Sequence, residues 1–172
     1  MRARALAGLA AGALIVAPAS AQTPRLAELP APLRPTGLSA YLEVSATGVQ
    51  IYTCGKNDAG TPSWIFKAPE ATLLDSDKKQ IGKHYAGPTW EALAGGKVVG
   101  AAKASAPAPE AGSIPWLLLD IKSSEGSGVF NQAKGVLRVS THGGVAPTQG
   151  CDEAHNGQES RVPYTATYIF LK

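Results

Sequence analysis

Leu38-Ser39-Ala40-Tyr41-Leu42-Glu43-Val44-Ser45-Ala46-Thr47-Gly48-Val49-Gln50-Ile51-Tyr52-Thr53-Cys54 is the stretch that decides the fold class. Leu38, Ala40, Leu42, Val44 and Ala46 are apolar, and Ser39, Glu43 and Ser45 between them are polar. A period of two buries one face of an extended chain and wets the other, so the first half predicts a half-buried β-strand. Thr47-Gly48 predicts a turn, and residues 49–54 the return strand of a hairpin.

The same grammar continues downstream. Trp64-Ile65-Phe66-Lys67 predicts a strand that stops before Pro69, and Asp75-Ser76-Asp77-Lys78 a polar turn. Residues 80–85 and 89–93 predict short strands split by Gly87-Pro88, and Lys97-Val98-Val99 a further one after Gly95-Gly96. Residues 101–113, rich in Ala, Pro and Ser, predict a loop. Ile114-Pro115-Trp116 and Val162-Pro163-Tyr164 each open a longer strand, because proline is tolerated where no ladder donor is missed. Residues 135–141 predict a strand ending in a Gly143-Gly144 turn. Residues 70–74 and 129–134 predict single helical turns, and no segment keeps a helical period. Short strands with Gly and Pro punctuation predict a mainly β, single-domain antiparallel β-sandwich or small β-barrel with long Gly/Pro-rich loops.

Upstream, Pro24, Pro30, Pro32 and Pro35 mark residues 22–37 as an extended N-terminal arm or linker, since each proline removes a backbone donor. Before it stand a basic start (Arg2, Arg4), an uncharged and mostly apolar run over residues 5–16, and Ala19-Ser20-Ala21. This predicts a signal peptide over residues 1–21, cleaved after Ala21, and a periplasmic or extracellular destination for a β-domain over residues 38–172. The apolar run is too short to span a bilayer, which takes about 20 residues. Cys54 and Cys151 are the only cysteines, and in an oxidising compartment they predict one disulfide.

Cleavage would leave 14 basic against 13 acidic residues. A chain so close to neutral is a poor electrostatic partner for nucleic acid or a membrane surface. The charged fraction is low at 17%, yet 44% of residues are apolar, which excludes intrinsic disorder.

Five ordered motifs carry a resemblance. They are Gly48-x-Gln50-x-Tyr52-x-Cys54, His84-x-x-Gly87-Pro88-Thr89-Trp90-Glu91, Pro115-Trp116-Leu117-Leu118, Thr141-x-Gly143-Gly144 and Val162-Pro163-Tyr164-x-Ala166-x-Tyr168. From about Leu38 to the C-terminus the chain resembles the secreted bacterial and fungal family known as domain of unknown function 3455. The resemblance implies an exported, mostly β domain and brings no catalytic residues. Some fungal members carry a dehydrogenase label, but this chain has no G-x-G-x-x-G and no βαβ pattern to hold a dinucleotide.

Among residues that could carry chemistry, His84, Tyr85, Trp90 and Glu91 place an imidazole, two aromatics and a carboxylate within eight residues. A paired His and Glu can do acid/base work or bind a polar ligand. The candidate ligand-binding set is His84, Trp90, Glu91 and His142. The competing structural reading makes Trp90 core, with His84 and Glu91 solvated or capping loop backbone. No H-x-H or H-x-x-x-H pair points to a metal. Trp64 and Trp116 sit in apolar runs and predict core packing. Asp152-Glu153-Ala154-His155 spells a helicase box without any phosphate loop, a chance match.

The expected function is a non-enzymatic binding or envelope-associated module that takes an unknown small molecule or glycan, with no cofactor. One alternative is a small hydrolase or metal-dependent enzyme built on His84, Glu91 and His142. The other is a structural stress or matrix protein.

Overall fold

The computed structural model describes residues 23–172. The signal peptide read over residues 1–21 lies outside them. Eight strands follow one another: β1 (Ala40–Lys56), β2 (Pro62–Leu74), β3 (Gln80–Tyr85), β4 (Thr89–Ala92), β5 (Lys97–Ala106), β6 (Trp116–Glu125), β7 (Gly135–Gly143) and β8 (Glu159–Leu171). Each pairs antiparallel with the next, and β1 pairs antiparallel with β8, so the sheet closes into an up-and-down barrel rather than a sandwich. The helical segments among the described residues are three-residue 3-10 turns, and no helix is long and apolar enough to cross a membrane.

The predicted hairpin at Thr47-Gly48 does not form. β1 runs straight through it for 17 residues, with Thr47 facing Thr72 on one side and Thr165 on the other. Gly48 is there for close approach: a Cβ at this position would lie 2.1 Å from the Glu70 carbonyl oxygen. Sterics between strands, not turn geometry, account for that glycine. Prolines mislead in the same way. Pro69 lies inside β2 where the ladder to β3 has not begun, and Pro163 lies inside β8. Residues 101–106, read as loop, extend β5, and residues 70–74, read as a helical turn, belong to β2. The Asp75 turn forms as expected, with the Asp75 carboxylate accepting from the backbone N–H of Asp77 and Lys79.

Alternation sorts side chains to two cores. Inside the barrel, Val44, Ala46, Leu73, Trp90, Val98, Leu119, Phe130, Val136, Tyr168 and Phe170 pack together. Phe130 and Phe170 stack with ring centroids 4.6 Å apart. Outside, Ala106, Trp116, Leu118, Leu137, Val139, Ile169 and Leu171 form a second cluster. The proline-rich arm covers it. Two 3-10 turns, Leu26–Glu28 and Ala31–Leu33, seat Leu29 and Leu33 on the outer cluster with no exposure to solvent. The arm is therefore a piece of the core and not a solvated linker. Elsewhere the outer face carries exposed Glu43, Thr47, Glu70, Lys83 and Thr165. Polar outside and apolar inside is the reverse of a membrane barrel.

Cys54 and Cys151 form a disulfide with a Cα–Cα distance of 5.3 Å. It ties the end of β1 to the connection between β7 and β8 across 97 residues. A loop of that length removes about 4–5 kcal/mol of unfolded-state entropy in the chain-entropy model.

The arm gives the sharpest test of this packing. Leu33→Ala should lower the unfolding free energy by about 2–5 kcal/mol, measured by urea denaturation, as for any buried leucine. A solvated linker would tolerate the change within about 0.5 kcal/mol.

Candidate functional site

The strands are unequal, and the inequality opens the barrel. β3 has 6 residues and β4 has 4, whereas the flanking β2 and β5 have 13 and 10. β3 pairs with β2 only from Ala71 to Leu74, so the first half of β2 has β1 as its sole neighbour. β4 pairs with β5 only at Lys97, Val98 and Val99, so β5 beyond Gly100 has β6 as its sole neighbour. The wall is notched between the free edges of β2 and β5. Edges of this kind invite pairing with other chains, and here Pro69, Lys67 and Lys103 stand along them.

The turn at the tip of the short hairpin is Ala86-Gly87-Pro88, with a cis Gly87-Pro88 peptide. Gly87 has φ +135°, and a Cβ there would lie 2.5 Å from Thr89 Oγ1, so only glycine fits. Behind the turn lies a cavity of about 320 Å³. Its floor is aromatic: His84, Trp90 and Tyr168. Its walls are Ala102, Leu117 and Leu119, and Phe66 and Lys67 stand at its lip. Phe66 is 53% exposed, unusual for a phenylalanine. Its ring meets Tyr52 edge-on.

His84 sits opposite Trp90 in the β3–β4 ladder, so the two share the inward face. Their rings stack with centroids 4.7 Å apart, and His84 also leans on Tyr168 at 4.9 Å. His84 is 3% exposed. Its Nδ1 lies 2.8 Å from the Thr89 carbonyl. A carbonyl only accepts, so Nδ1 carries the proton and Nε2 is left as an acceptor. Burial pushes the imidazole pKa down to about 3; the Thr89 carbonyl works against this shift, and the nearby Arg138 charge adds to it. His84 is thus a neutral ring at physiological pH. Burial likewise raises the Tyr164 and Tyr168 hydroxyls, which lie 3.4 Å apart, and keeps both protonated.

Arg138 is the residue that sequence reading missed. On β7 it alternates with Leu137 and Val139, which face the outer cluster, so its side chain turns inward and lines the cavity. Its Nε and Nη2 donate to the Pro115 carbonyl at 3.2 and 2.8 Å. The Ile114-Pro115-Trp116 motif therefore serves as a bracket: Pro115 holds Arg138, and the Ile114 carbonyl accepts from the Thr141 hydroxyl at 2.6 Å. A signal was present, because Arg138 interrupts Val136-Leu137 and Val139 in a strand apolar on both faces.

The other proposed site residues lie elsewhere. Glu91 pairs with Lys83 in the ladder and faces outward, where its carboxylate accepts from the Tyr85 hydroxyl at 2.9 Å. His142 is on the outside as well, its Nδ1 against the Glu110 carboxylate. The set His84, Glu91 and His142 does not converge, because only His84 and Trp90 have inward parity. Among the described residues no three His, Cys, Asp or Glu side chains gather as a metal set. Trp64 is not core: its ring is partly exposed and its Nε1 donates to the Gln149 carbonyl. Asp152-Glu153-Ala154-His155 is a capped 3-10 turn, with the Asp152 carboxylate accepting from the backbone N–H of Ala154 and His155.

The burial of His84 makes stability depend on pH. Its folded pKa lies below the unfolded value, so the unfolded chain takes up a proton first as pH falls. The stabilisation is complete above about pH 6.5 and is lost progressively down to about pH 3. Between pH 6 and 5 the wild type should lose on the order of 1.4 kcal/mol more per pH unit than His84→Phe. The other histidines are common to both proteins and cancel. Equal slopes in urea denaturation at several pH values would contradict a buried neutral His84.

No curated protein and no solved structure matches the chain. Residues 35–172, which take in all eight strands, match the family described as Protein of unknown function (DUF3455). The chain belongs to that family.

Proposed function

We propose that this protein is an exported barrel that binds a small, largely apolar molecule in the cavity behind the β3–β4 turn. The observation that carries the reading is the notch. Eight-stranded barrels have an interior just wide enough to be filled by side chains or to hold one small ligand. Here β3 and β4 fall short of the strands that flank them, and the cavity lies at that gap. Its chemistry is that of a binding pocket: aromatic and aliphatic lining with a few placed polar groups. Exposed Phe66 at the lip offers an apolar surface for capture.

The same geometry favours binding over catalysis. A general acid or base works best with a pKa near the operating pH, and His84 is held far below it. The two carboxyl and imidazole partners of the hydrolase alternative face the other side of the sheet. Export is supported by the basic and apolar N-terminal sequence and by the disulfide, which an oxidising compartment favours.

A neutral fluorescent probe, N-phenyl-1-naphthylamine, should bind saturably to the wild type. Ala102→Trp should plug the cavity from an exposed position and weaken that binding at least about tenfold, with the far-UV circular dichroism unchanged. Equal binding by the folded variant, or no saturable binding by the wild type, would contradict the proposal.

A further inference from the structure

The cavity has a sign as well as a shape. The charged residues in its lining are Lys67 and Arg138, both cations, and no acidic side chain lines it. Lys67 is satisfied at the lip by the Glu159 carboxylate. Among the described residues Arg138 has no carboxylate partner. Its contacts to the Pro115 carbonyl occupy Nε–H and one hydrogen of Nη2. The guanidinium has five donors in a planar fork, so Nη1 and the second hydrogen of Nη2 remain for the Tyr168 hydroxyl, which the side chain reaches, and for a ligand. That pair is the end of the fork, which matches the two oxygens of a carboxylate. The bracket from Pro115 also fixes the orientation in advance, so little rotamer freedom is lost on binding.

A charge on the wall of a largely apolar cavity is costly to bury unless paired. Arg138 is partly buried and its field reaches the floor: it opposes the upward shift of both the Tyr164 and Tyr168 hydroxyls. An incoming anion would find this charge uncompensated and in a surrounding of lower dielectric than water, where pairing is strengthened.

We infer that the ligand is a small organic monocarboxylate, held head-first on the free end of the Arg138 guanidinium with its apolar tail against Trp90, Leu117 and Leu119. This rests on the reading of the cavity as a ligand site and adds the ligand's charge. The tail has two chemical sources, aliphatic or aryl, and both are served by the same walls.

Isothermal titration calorimetry on the full protein separates the two claims. The probes are octanoate and cinnamate, each with its neutral amide, octanamide and cinnamamide, which keep shape and lose charge. At least one acid should bind roughly tenfold or more tighter than its own amide. The acid that shows the larger preference identifies the tail. Arg138→Gln should reduce the ratio of acid to amide affinity to about threefold or less. Arg138→Lys keeps the charge without the fork and should retain part of the preference, so the comparison survives if Arg138→Gln does not fold. If acids and amides bind the wild type equally, the inference falls and the cavity reading stands. If neither acids, amides nor N-phenyl-1-naphthylamine bind, both fall.

Discussion

Strand β1 is hydrogen-bonded on both edges along most of its length, to β2 from Ser45 to Lys56 and to β8 from Ala40 to Thr53. The rest of the structure depends on this double ladder. It joins the first and last strands of the meander and so turns a sheet with two vulnerable edges into a closed wall. It also sets who meets whom inside. Closure brings Tyr168 and Phe170 of β8 and Arg138 of β7 across from His84 and Trp90 of the β3–β4 hairpin, more than forty residues earlier in the chain. The disulfide at the far end of β1 and the proline-rich arm over β5–β8 reinforce the wall from outside.

Against that closed wall, the shortness of β3 and β4 stands out as a local departure with a functional meaning. A fully paired barrel would seal its interior with aromatic packing. Here the packing forms the floor, and the missing wall between β2 and β5 leaves a cavity over it. The electrostatics follow from the same layout. His84 is buried deeply enough to stay neutral, whereas Arg138 is only partly buried and has no carboxylate partner among the described residues. One polar group is buried as part of the packing, the other stays charged on the cavity wall.

Much of the fold was legible because a period of two is a local property. It marked the positions of most strands, and two cysteines with an export-like leader implied the bridge. Closure was not legible, since pairing of β1 with β8 is a contact between chain ends that no local pattern encodes. The misreadings at Gly48, Pro69 and Pro163 share one cause: Gly and Pro serve strand packing here as well as turns. Gly48 admits the β2 backbone, and Pro69 and Pro163 lie within strands. The arm hid its role because its prolines suggest solvated chain, while the paired Leu29 and Leu33 were the apolar signal. At the site, parity alone separates His84 and Trp90 from Glu91, given the hairpin about Gly87. Arg138 had a signal in the apolar residues around it, and the docked arm shows why both faces of β7 are apolar.

The central claim is that the notch between β2 and β5 is the door to an interior ligand site. The most direct test is amide and side-chain chemical-shift mapping on ¹⁵N-labelled protein saturated with N-phenyl-1-naphthylamine. The account predicts the largest perturbations at Phe66, Gly87, Thr89, Ala102 and Leu119, together with the Arg138 Nε–H. Perturbations confined to the arm-covered face around Leu33, Trp116 and Leu137, or to the cleft beside Cys54 and Glu153, would contradict it.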